Sequence, residues 1–95
     1  MIAPDAGRID VHGRLTIETV SALFQTGLQH LGRGDLQVDL SRVEAVDSTA
    51  ISMLLGWERA AQCGLRELRV VGWPEDLLSL ARLYGVEELL PLHNN

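Results

Sequence analysis

Three segments of the chain repeat apolar residues at steps of three and four, and alternating segments separate them. In "TIETVSALFQTGLQHL", Ile17, Val20, Phe24, Leu28 and Leu31 fall on one stripe, which predicts an amphipathic helix. Thr16 is placed to cap its start, and Gly32 and Gly34 to break its end. A second helix is predicted from Thr49 in "TAISMLLGWERAAQCG", with Ile51, Leu54 and Leu55 inward and Gly64 as its stop. Ala50, Met53 and Trp57 make an adjacent apolar face, so this helix is apolar around more of its circumference than a surface helix needs. In "WPEDLLSLARLYG" the third helix has Pro74 in its first turn and Glu75 and Asp76 at its positive end. Leu77, Leu80, Ala81 and Tyr84 form its inner stripe, and Gly85 closes it.

Between these runs the period changes to two. "RIDVHG" sets Ile9 and Val11 against Asp10 and His12 and stops at Gly13, as a half-buried strand does. "LQVDL" puts Leu36, Val38 and Leu40 on one face, and "SRVEAV" continues with Val43 and Val46 turned inward. "LRELRVVG" reads as a further strand, and "EELLPL" as a last short strand or a turn. Strands alternating with helices of this length predict βαβ units and an at least partly parallel sheet, with an antiparallel edge as an option for the first segment. The first seven and last three residues are expected to be loose.

Composition narrows the functional classes. Ninety-five residues suit a single domain, 1–95, with one core. Aromatic residues make up only 4% of the chain, so Leu, Val, Ile and Ala must fill that core. The net charge is −5, there is no lysine, and the arginines are scattered, which argues against nucleic acid or an anionic membrane surface as the main partner. The only cysteine, Cys63, cannot form an internal disulfide, the N-terminal residues show no secretory pattern, and no apolar run is long enough to cross a bilayer. A cytoplasmic protein is expected.

Familiar chemical motifs are missing. "LGRGDL" lacks the third glycine of a dinucleotide fingerprint, and no phosphate-binding loop sequence occurs. "RGD" at Arg33, Gly34 and Asp35 is an adhesion tripeptide only in spelling. His12, His30 and His93 have no ligand spacing with one another or with Cys63, so neither metal nor cofactor is expected. A Ser48, His12 and Asp47 triad would place the acid beside the nucleophile and outside any nucleophile elbow, so no catalytic centre is expected.

What stands out is the joint Asp47-Ser48-Thr49, where a strand pattern gives way to a helix pattern. Capping explains one such residue, because the first amides of a helix need acceptors. Three in a row exceed that need. A hydroxyl at a helix start is exposed, fixed, and tolerant of an added phosphate, which would bring nearly two negative charges to a partner surface.

The run "VDLSRVEAVDSTAISMLL" resembles the signature of STAS domains, the family of SpoIIAA-type anti-sigma factor antagonists. "IDVHGRLT" and "ELRVVG" resemble the early and later strands of that family, over roughly residues 8 to 92. Together with "SLARLYGVEELLPL", the run is most similar to the MlaB-type branch, the small subunit of Mla phospholipid-transport ABC complexes. The resemblance implies an α/β domain with a mixed, mostly parallel sheet of four to five strands and three to four helices. It implies a docking module without enzymatic activity, cytoplasmic and peripheral to the inner membrane through its partner. That partner would be the MlaF-like ATPase subunit, or in the other branch an anti-sigma factor and serine kinase. The partner-binding residues it implies are Asp47, Ser48, Thr49, Ala50 and Phe24, with Thr49 or Ser48 as the phosphorylation site. Ala50 departs from the glycine found there in the family, and Trp57 and Phe24 are each open to a core or an interface role. Trp73 is expected to pack and fix the start of the third helix.

Overall fold

The pattern of alternating periods resolves into six regular elements and a closing turn in the computed structural model, which describes residues 7–90. They are β1 (Arg8–Leu15), α1 (Ile17–Leu31), β2 (Leu36–Val46), α2 (Ser48–Cys63), β3 (Leu68–Val71) and α3 (Glu75–Leu83), followed by a 3-10 turn at Glu87–Leu89. The expectation of loose ends falls mostly on residues 1–6 and 91–95, which lie outside the described residues, as does His93.

Among the described residues the sheet has three strands in the order β1-β2-β3, and both pairings are parallel. This corrects two expectations. The first segment is not an antiparallel edge: α1 supplies the long crossover that parallel neighbours require. The four or five strands are not found there either. "SRVEAV" prolongs β2, so it adds no strand. The "EEL" of "EELLPL" winds into the 3-10 turn, where two adjacent glutamates suit a turn better than a ladder, while Pro91 and Leu92 lie outside the described residues.

β2 can be long because it carries extra residues. Its register with β1 slips between Asp10↔Asp39 and His12↔Arg42, and again between Gly13↔Val43 and Arg14↔Ala45. Each slip inserts one unpaired residue into β2. Asp39 fixes the first, because its Oδ1 accepts from the Ser41 N–H at 2.9 Å. The Ser41 hydroxyl and amide, with Arg8 and Arg42 nearby, hold the Asp39 carboxyl below the usual carboxylate range. Gly72 (φ +71) runs so close that a Cβ there would sit 2.7 Å from the Ser41 nitrogen.

One sheet face is covered. Ile9, Val11, Leu15, Leu36, Val38, Leu40, Leu68 and Val70 point into the core, whereas His12 and Arg69 on the other face are exposed. α2 lies between α1 and α3 and contributes Ala50, Ile51, Met53, Leu54, Trp57 and Ala61 to the core, which is why two of its faces are apolar. α1 and α2 interlock through glycines. A Cβ on Gly27 would lie 2.2 Å from the Trp57 ring, and one on Gly56 would lie 2.8 Å from the Phe24 ring. The Trp57 Nε1–H also donates to the Phe24 carbonyl at 2.9 Å. Trp57 is therefore core, and Phe24 is a half-buried lid over Gly56. Trp73 packs against the core and donates to the Val70 carbonyl at 3.0 Å, as expected of it.

Both later helices end in a Schellman motif. In α3 the Gly85 N–H meets the Arg82 carbonyl and the Val86 N–H meets the Ala81 carbonyl, with Gly85 at φ +68. In α2 the left-handed position falls on Leu65 (φ +56), not on Gly64, one residue beyond the expected stop. Two inner-stripe assignments also change. Ile17 is 72% exposed and Tyr84 is 50% exposed, because each sits at a helix end that overhangs the core. The buried line of α1 is instead Leu23, Gly27 and Leu31, with Val20, Phe24 and Leu28 beside it. Pro74 is the N-cap residue of α3 and precedes its first turn.

Candidate docking site at the strand-to-helix joint

In a parallel sheet with a helix after each strand, the carboxyl ends of neighbouring strands and the helix starts that follow them lie side by side. Here Leu15 pairs with Val46, so the first turns of α1 and α2 meet. The Asp47 N–H donates to the Leu15 carbonyl at 3.3 Å, joining the two crossings through the backbone.

Asp47 is the N-cap of α2. Its Oδ1 accepts from the Thr49 N–H at 2.9 Å and from the Thr49 hydroxyl. Its Oδ2 accepts from the Ile17 N–H of α1 at 3.0 Å. The Thr49 hydroxyl first, then the Ile17 amide, hold the Asp47 carboxyl below the usual carboxylate range. The carboxylate thus stays charged at neutral pH and offsets the partial positive charge of two helix starts.

The three joint residues divide the work that the sequence leaves undivided. Asp47 is a cap. Thr49 is half-buried, with its hydroxyl committed to Asp47. Ser48 is exposed, and its hydroxyl makes no hydrogen bond among the described residues. Ala50 is fully buried on the core side of α2, so its side chain offers nothing to a partner, and its place in the expected surface is corrected. Phe24 lies a little under two turns along α1 from Ile17, half-buried against α2. Of the expected residues, Ser48 is thus the exposed one, and it follows the Asp47 that bonds the first turn of α1. Ile17, which the stripe assigns inward, is the surface residue that the sequence reading misses. Its signal was topological: only the parallel pairing of β1 with β2 brings Ile17 to Asp47.

Ser48, His12 and Asp47 form no hydrogen-bonded triad among the described residues. Both Asp47 oxygens are engaged by Ile17 and Thr49, and His12 pairs in register with Arg42, away from the strand end. Among the described residues no group of three His, Cys, Asp or Glu side chains is arranged to hold a metal ion. Also among the described residues, no helix is long and apolar enough to cross a membrane.

Among the described residues, a parallel sheet covered on one face by three helices, with a hydroxyl-bearing joint at its carboxyl end, defines a small α/β domain. The chain belongs to the STAS domain family: the family model described as "MlaB, STAS domain" matches residues 2–91. Among solved structures it is similar to a candidate anti-sigma factor antagonist from Thermotoga maritima, with a TM-score of 0.79 and 14% identity, covering 100% of this chain and 86% of that one. It is also similar to the unphosphorylated anti-sigma factor antagonist SpoIIAA, with a TM-score of 0.70 and 11% identity, covering 87% and 81%. At these identities the likeness is one of fold. No curated protein matches the chain.

Proposed function

We propose that this domain is a non-enzymatic accessory subunit that docks on the cytoplasmic ATPase of an Mla-type phospholipid-transport ABC complex. There it stabilises or activates the ATPase, leaves ATP hydrolysis to it, and serves the lipid asymmetry of the outer membrane. The domain is cytoplasmic and reaches the inner membrane only through that partner. The observation that carries the reading is the exposed, uncommitted Ser48 beside the exposed Ile17, on a domain whose matching family description names MlaB. Ser48 offers one donor and acceptor on a rigid helix start, and Ile17 offers apolar area next to it. A polar anchor beside an apolar contact is what a protein surface recognises. Phe24 and Val20 extend the apolar side along α1.

A second reading is an anti-sigma factor antagonist switched by a serine kinase, favoured by the same free hydroxyl and by the two structural neighbours. Ser48 is then the more reachable acceptor, since the Thr49 hydroxyl is held by Asp47. The two readings separate in one experiment: a tagged copy is recovered from its native cells and its companions are identified by mass. An ABC ATPase with its permease supports the transporter reading. An anti-sigma factor or kinase, with no transporter subunit and a phosphate on Ser48 or Thr49, overturns it.

A further inference from the structure

Ile17 is the first helical residue of α1, so its N–H has no acceptor within its own helix. The N-cap, Thr16, could serve only the amides one and two residues beyond Ile17, and its hydroxyl is buried and unpartnered among the described residues. The acceptor comes from the other helix. The Ile17 N–H donates to Asp47 Oδ2 at 3.0 Å, and the Thr49 amide and hydroxyl donate to Oδ1. A carboxylate is one rigid planar group, so whatever turns one oxygen turns the other.

We propose that Asp47 is a positioning residue that couples the α2 joint to the first turn of α1, so that the Thr49 hydroxyl sets how firmly Ile17 is held. Its use to a partner rests on the reading that Ser48 and Ile17 form one docking face. A partner that draws the Thr49 hydroxyl away from Asp47 thereby loosens α1 at Ile17, and a partner that seats on Ile17 favours the capped state of Thr49.

The test is solvent exchange of the Ile17 amide, referenced to the buried Val38 amide of β2 to remove any change in global stability. Thr49→Val is measured in the wild-type and Asp47→Ala backgrounds. The expected result is exchange at Ile17 about three- to tenfold faster relative to Val38 in the wild-type background, and no further change once Asp47 is gone. Thr49→Ser, which keeps the hydroxyl, should restore the wild-type rate, and Ser48→Ala should leave it alone. An equal effect of Thr49→Val in both backgrounds, or none relative to Val38, overturns the coupling. Should the coupling be found while Ile17→Glu and Ser48→Arg still bind the transporter ATPase as wild type does, the coupling stands and the docking reading fails.

Discussion

Leu65 holds φ +56 and is 93% exposed, so nothing it touches explains its conformation. The Schellman motif requires that conformation: the Leu65 N–H meets the Gln62 carbonyl and the Arg66 N–H meets the Ala61 carbonyl at 2.8 Å. A side chain in the left-handed region costs about 1–2 kcal/mol, and glycine would return about 0.5–1 of that as extra freedom of the unfolded chain. Leu65→Gly should therefore stabilise the domain by about 0.5–1 kcal/mol, read as a higher urea midpoint with unchanged slope. A loss of stability would mean that the Leu65 side chain packs in a way its exposure denies. At the same scale, Ser48 and Thr49 look alike in the sequence and differ in the structure, because only Thr49 lies within reach of the Asp47 carboxylate that caps its own helix.

The contact between α1 and α2 is where two elements depend on missing side chains. At Gly27 an added Cβ would meet Trp57 ring atoms at 2.2–2.4 Å, and that ring is fully buried and held by its bond to the Phe24 carbonyl. At Gly56 the added Cβ would meet the end of the half-exposed Phe24 ring at 2.8 Å, which has room to swing outward. Alanine gains about 1 kcal/mol of helix propensity over glycine at either position. The clash at Gly27, about 1–3 kcal/mol and at the upper end for so close an approach, should outweigh that gain, so Gly27→Ala is expected to destabilise by about 1–2 kcal/mol net. Gly56→Ala should fall near zero. Thermal melts of the two variants compare them directly, and equal melting temperatures would contradict the interlock.

Element by element, periodicity places the three helices to within a residue or two, because each has a clear apolar stripe and a glycine close to its end. It fails where tertiary contacts decide the outcome. The shift of apolar parity from Leu36, Val38 and Leu40 to Val43 is visible in the sequence, but its cause, a bulge fixed by the Asp39 to Ser41 hydrogen bond, is not. Ile17 and Tyr84 satisfy helical spacing but lie beyond the area that the core covers. At the joint, the residue types announce a helix start, but a local pattern carries no sign that the same carboxylate serves α1.

Across the described residues, the three strands place the starts of α1, α2 and α3 at one end of the sheet, and those helices cover one of its faces. The site is then a surface of fixed elements and not a pocket, which suits a protein partner better than a small ligand. Net charge and scattered arginines give the domain no general attraction to phosphate-rich surfaces, so recognition must rest on a few local contacts. Such surfaces concentrate their binding energy in a few central residues. Whether the joint is a docking face is decided by titrating the purified ATPase of the proposed transporter with the wild-type domain and with Ser48→Arg. Ser48 is exposed and makes no hydrogen bond among the described residues, so the variant should stay folded, losing at most about 1 kcal/mol to the positive helix start, and bind at least about tenfold more weakly. Equal affinity for the two proteins would contradict the account.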